Sequence, residues 1–174
     1  MFQLLSKCID QKETVSFYCD SNNPATHLTG FVAACTNDEV LISHISKEGN
    51  YDGFILIHSR DLYRIDFGGK YETKIKELYD LKKQSHPPLP QDESIYTTLL
   101  RFGQEKDLVV SVELADCTLS GFIADYNDVY IHLYILDECG IQNGESCVSN
   151  SDIISLAVDT STEQDIKRLF SKRL

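Results

Sequence analysis

The sequence predicts a mainly β protein with flanking helices: two tandem copies of one small, strongly bent, five-stranded barrel, each followed by an amphipathic helix. Three observations lead there. First, residues 26–81 moved forward by 91 positions lie on 117–172 without a gap, and 11 of the 56 pairs are identical, among them Gly30/Gly121, Asp61/Asp152, Glu72/Glu163 and Lys76/Lys167. Self-similarity at a fixed period marks a duplicated unit. Second, each copy carries a glycine inside an apolar run, Leu28-Thr29-Gly30-Phe31-Val32 and Leu119-Ser120-Gly121-Phe122-Ile123. A glycine within a strand marks a sharp bend or a close backbone approach, and small barrels need such bends. Third, Pro87, Pro88 and Pro90 fall between the copies, where no helix interior or central strand tolerates them. The predicted division is 1–83 for the first unit, 84–94 for a stiff extended connector and 95–174 for the second unit.

The elements follow in the same order in each copy. A short helix opens it, over residues 2–9 and 95–102. The first strand, 14–19 or 108–114, alternates apolar and polar residues at period two. Extra residues around Ser21-Asn22-Asn23-Pro24 lengthen the next turn in copy one, where loops accept insertions. The glycine-bearing second strand covers 28–34 and 119–125. Asn37-Asp38 and Asn127-Asp128 then turn the chain into a third strand, 40–45 and 129–136. Gly49 and Gly53, matched by Gly140 and Gly144, flank the next loop as turn formers. Fourth strands occupy 54–58 and 146–149, and fifth strands 62–67 and 153–158. The closing helix buries Ile75, Leu78 and Tyr79, or Ile166, Leu169 and Phe170, on one face. Ser161 or Thr162 can cap it in copy two.

Composition narrows the function classes. The 174 residues include 16 Lys/Arg and 27 Asp/Glu, for a net charge of −11. The acid is concentrated late: residues 1–83 hold 10 Lys/Arg against 12 Asp/Glu (−2), and residues 84–174 hold 6 against 15 (−9). The second half therefore has little to neutralise a phosphate backbone, the main source of non-specific nucleic-acid affinity. No apolar run approaches the ~20 residues of a membrane span, and the start of the chain lacks the pattern of a signal peptide. The six cysteines share no repeated spacing and form no C-x-x-C, which predicts reduced thiols in a cytoplasmic protein. Histidines show no metal-ligand spacing, and no nucleophile-elbow, phosphate-loop or dinucleotide motif is present. The expectation is a protein without cofactor or metal, and not an enzyme; an unrecognised enzyme is the remote alternative.

A short helix followed by five strands with a bent, glycine-bearing second strand resembles the Sm-like small barrels. Leu28-Thr29-Gly30-Phe31-Val32 and its second copy look like the opening of that family's first motif. Ile57-His58-Ser59-Arg60-Asp61-Leu62, with Val148-Ser149-Asn150-Ser151-Asp152-Ile153 in copy two, resembles the second motif. The resemblance implies edge-to-edge association with protein partners or further copies of the chain. It also implies, as the alternative, RNA bound at the first barrel through His58, Arg60 and Arg64. Where the family holds a base and its phosphate, this chain has His58-Ser59 and Ser149-Asn150, so a protein partner is the leading expectation. Gly30 and Gly121 are expected to be structural, as are Asp61 and Asp152, placed to form Asx turns before a strand. RNA binding would require Lys7, Lys12, Arg60, Arg64, Lys70 and Lys74 to converge on one surface.

Overall fold

The computed structural model describes residues 1–23, 25–90 and 94–173. Pro24 of the lengthened turn and residues 91–93 of the predicted connector lie outside them. The chain forms two compact units, Met1–Pro88 and Leu89–Leu174.

The first unit runs α1 (Phe2–Gln11), β1 (Thr14–Tyr18), β2 (Leu28–Cys35), β3 (Glu39–Ile45), β4 (Tyr51–His58), a 3-10 turn (Ser59–Asp61), β5 (Arg64–Phe67) and α2 (Lys70–Leu81). The second runs α3 (Ile95–Glu105), β6 (Val109–Glu113), β7 (Thr118–Tyr126), β8 (Tyr130–Leu136), β9 (Gln142–Ser149), a 3-10 turn (Asn150–Asp152), β10 (Ser155–Val158) and α4 (Ser161–Ser171). Strand order is β5-β1-β2-β3-β4 in the first unit and β10-β6-β7-β8-β9 in the second. Every pairing within a unit is antiparallel. The fifth strands begin two residues later than predicted, because two irregular residues, 62–63 or 153–154, separate each 3-10 turn from its strand.

The expected closed barrel is corrected: each five-stranded sheet is open. Its two margins, β4 and β5 or β9 and β10, do not pair with each other within the unit. The sheet is nonetheless sharply bent, and the connectivity requires it. His58 stands opposite Glu39 and Arg64 opposite Tyr18. Projected onto β2, those levels are nine residues apart, about 30 Å on a straight strand, and the margins of a flat five-stranded sheet are about 19 Å apart. The six chain steps from His58 to Arg64 reach at most about 20 Å, so the sheet must curl.

The curl is located at Gly30 and at the irregularities that follow it. A Cβ at Gly30 would lie 2.1 Å from the Ser43 carbonyl oxygen, and one at Gly121 would lie 2.1 Å from that of Tyr134. Register shifts lie between Val32 and Ala34 in β2 and between Ile123 and Asp125 in β7. Such bulges increase local bend and twist.

Each closing helix packs against its sheet. Ile75 and Tyr79 join Ile45 and Phe31 in the first unit. Ile166 and Phe170 join Val109, Leu136 and Phe122 in the second. Phe31 meets Tyr79 edge to face at 5.4 Å, and Phe122 meets Phe170 at 5.2 Å, geometries that aromatic quadrupoles favour. The buried stripe differs from the predicted one. Leu169 is exposed, and the third inward position is an acid, Glu72 or Glu163. The cap of α4 is Thr160, not Ser161 or Thr162; it forms a reciprocal capping box with Glu163.

The start of the predicted connector docks onto the first unit. Gln84 Oε1 accepts from the Tyr51 amide at 3.0 Å. His86 Nε2 lies 2.9 Å from the His44 carbonyl and 3.1 Å from that of Gly53, so this nitrogen carries the proton. Nδ1 then accepts from the Tyr79 hydroxyl at 2.8 Å. Burial pulls the His86 pKa down to about 4.

Candidate functional site

In each unit the turn after the bent strand and the 3-10 turn after the fourth strand are joined. Thr36 Oγ1 accepts from the amides of Asp38 and Glu39 at 3.2 and 3.0 Å. Asn127 Oδ1 accepts from those of Val129 and Tyr130 at 2.8 and 3.0 Å. A short polar side chain thus replaces missing backbone partners in both turns. The Ser59 amide then donates to the Asp38 carbonyl at 2.8 Å, and the Asn150 amide to that of Val129 at 2.9 Å. These positions correspond under the 91-residue shift.

In the first unit the joined turns line a groove of 640 Å³ with the start of α1. Asn37, Asp38, His58 and Arg60 face it, beside Met1 and Phe2. Two of the three predicted nucleic-acid residues, His58 and Arg60, therefore come together. Arg60 is largely exposed, with Nε 3.8 Å from Asp61 Oδ1. Behind His58, burial pushes the Glu39 carboxyl above its ordinary range, and the imidazole opposes that shift. The groove offers one exposed guanidinium, an imidazole and an amide, with Asp38 beside them.

Arg64 is elsewhere. It lies on β5, donates from Nε to Asp66 Oδ1 at 2.9 Å and stacks 4.5 Å over the Tyr18 ring. The hydrogen bond from Arg64 holds the Asp66 carboxyl below its usual value. Of the basic residues proposed to converge, only Arg60 lines the groove, and Lys12 lines a different one. Asp61 and Asp152 each end a 3-10 turn, and neither side chain bonds a backbone group among the described residues. Carbonyls of Ser59 and Asn150 accept from Leu62 and Ile153 instead, so the backbone closes the turn itself.

The second unit fills the corresponding place with its own side chains. Tyr96 donates to Asn150 Oδ1 at 2.8 Å, and Asn150 Nδ2 donates to the Asn127 carbonyl at 2.8 Å. Ser149 and Ser151 hydroxyls bond each other at 2.8 Å.

Sequence reasoning missed a polar pair inside each unit. Ser16 of β1 donates to Glu72 of α2, and Ser111 of β6 to Glu163 of α4, both at 2.6 Å. The signal was present: Glu72 and Glu163 match under the shift, at positions three residues into a helix where a carboxylate serves a cap.

Among the described residues, no three or more of His, Cys, Asp and Glu gather to hold a metal ion. No helix there is long and apolar enough to cross a membrane, and none of the six cysteines forms a disulfide among the described residues. No family model, curated protein or solved structure matches this chain.

Proposed function

We propose that this chain is a non-enzymatic, Sm-like binding or assembly protein, acting through protein–protein contacts in the cytoplasm. One observation supports this above the others. Among the described residues, each unit holds an open five-stranded sheet, and β5 of the first unit and β9 of the second each pair along one side only. Sheet margins present rows of backbone donors and acceptors that pair with a further strand. Light scattering over a range of concentrations tests the reading. An assembly heavier than one chain supports it, and a strict monomer removes self-association.

A second reading, RNA bound by the first unit, draws on the meeting of His58, Arg60 and Asn37 in one groove. Filter binding to short U-rich and A-rich RNA at two salt concentrations distinguishes it. Micromolar, salt-dependent affinity lost in Arg60→Glu supports RNA; its absence leaves the protein-contact reading.

A further inference from the structure

A second groove in the first unit, of 490 Å³, runs between α1, α2 and the β2–β3 face. Its size falls in the range of small-molecule sites. Phe31, Val32 and Cys8 form an apolar wall. Burial raises the Cys8 thiol pKa, so it stands there as a neutral group. Ser43 also lines the groove; it is 7% exposed, and its hydroxyl makes no hydrogen bond among the described residues. Lys12 and Lys76 face the same groove, and neither has a carboxylate partner among the described residues.

The second unit supplies an internal control. Lys12 ends α1 in the left-handed conformation, φ 50°, with its amide on the Ile9 carbonyl. Asp107 does the same after α3, φ 52°, on the Gln104 carbonyl. The partner of Lys76 under the shift is Lys167. In the second unit Lys167 Nζ reaches the Asp107 carbonyl and lies 4.0 Å from its carboxylate. The two elements are therefore tied by opposite charges in one unit. In the other, like charges line the same gap. Two ammonium groups without a salt bridge among the described residues thus stand beside an apolar wall and the Ser43 hydroxyl. Asp80 at the same groove leaves the local side-chain charge at one positive.

We propose that this groove binds a small amphipathic carboxylate. Lys12 and Lys76 take the carboxylate, the Ser43 hydroxyl donates to it or to a neighbouring acceptor, and Phe31 and Val32 hold the apolar body. The site does not depend on the assembly reading.

The test is a titration of the full chain with octanoate and 4-phenylbutyrate, followed by amide chemical shifts. Octanol, inorganic phosphate and an acidic amphipathic peptide run in parallel. Saturable shifts at Cys8–Lys12, Phe31–Ser43 and Lys76–Asp80 are expected, with Kd on the order of 1 mM for such small ligands. Octanol and phosphate should each bind about tenfold more weakly, since each offers only half of what the groove recognises. Lys12→Asp, which copies the second unit, should abolish binding while circular dichroism and the thermal midpoint stay unchanged. Lys76→Ala, a second variant, should weaken binding about tenfold. The proposal falls if neither acid shifts these amides. It falls equally if octanol or phosphate binds as well as the acids, if both variants keep full affinity, or if only the peptide binds.

Discussion

Ser16 Oγ donates to the Glu72 carboxylate at 2.6 Å, with Ser16 fully buried and Glu72 6% exposed. Ser111 and Glu163 repeat the bond at 2.6 Å. The surroundings differ. Glu163 Oε2 also accepts from the Thr160 amide at 2.9 Å and from the Thr160 hydroxyl, whereas the residue in the Thr160 position of the first unit is Gly69. Removing a donor from a buried carboxylate costs about 1–3 kcal/mol. Ser16→Ala should therefore fall near the top of that range and Ser111→Ala near the bottom, as measured by urea denaturation.

Gly69 precedes α2 at φ −79°, and no side chain caps that helix. A Cβ there would come 2.5 Å from Glu72 Oε2, the movable end of a side chain. Gly69→Thr should rebuild the capping box of α4 and raise stability by about 1 kcal/mol. An unchanged or lowered denaturation midpoint would show that Glu72 cannot adjust.

Gly30→Ala and Gly121→Ala force a methyl group against a strand carbonyl that cannot retreat without breaking the ladder. Each should destabilise by about 3 kcal/mol or more, read as a fall in thermal midpoint.

Gly140 and Gly144 separate two causes of glycine requirement. Both have positive φ, 71° and 82°. A Cβ at Gly140 would sit 2.5 Å from the Phe170 amide, whereas nothing lies within 4 Å of one at Gly144. Gly144→Ala should cost about 1 kcal/mol for backbone conformation alone, and Gly140→Ala distinctly more.

His86 makes stability depend on pH. Its folded pKa of about 4 lies below the ordinary 6.5, so the unfolded chain takes up the proton first. The contribution is fully present above about pH 6.5 and is lost as pH falls towards 4. After allowance for partial solvent access it amounts to about 1–2 kcal/mol. Denaturation at pH 7.5 and pH 5 should show a smaller difference for His86→Gln than for the wild type. Equal differences would show that His86 does not carry the effect.

Much of the architecture was legible because it is written in local chemistry. Alternation in Val15-Ser16-Phe17, the glycine in each second strand and the 3.6-residue spacing of Ile75 and Tyr79 each report a face or a bend within a few residues. The turns at Asn37-Asp38 and Asn127-Asp128 were read for the same reason. His86 was not, because the three prolines that follow it read as a connector while its partners, His44, Gly53 and Tyr79, lie on three other elements. Arg64 looked like a neighbour of Arg60 because it is four residues away. The 3-10 turn carries the chain from one sheet margin to the other between them, and Arg64 ends up on Tyr18.

The amino-acid order alone determined the element succession, the matched glycines and the duplicated pattern, since each depends on spacing along the chain. Only the tertiary structure decided that the sheets stay open, that Ser16 meets Glu72, and that Lys12 faces the same groove as Lys76. Those outcomes depend on how far a bent sheet can bring residues 56 or more positions apart into contact, and the energy of a buried hydrogen bond or an unpaired charge exists only once that distance has closed.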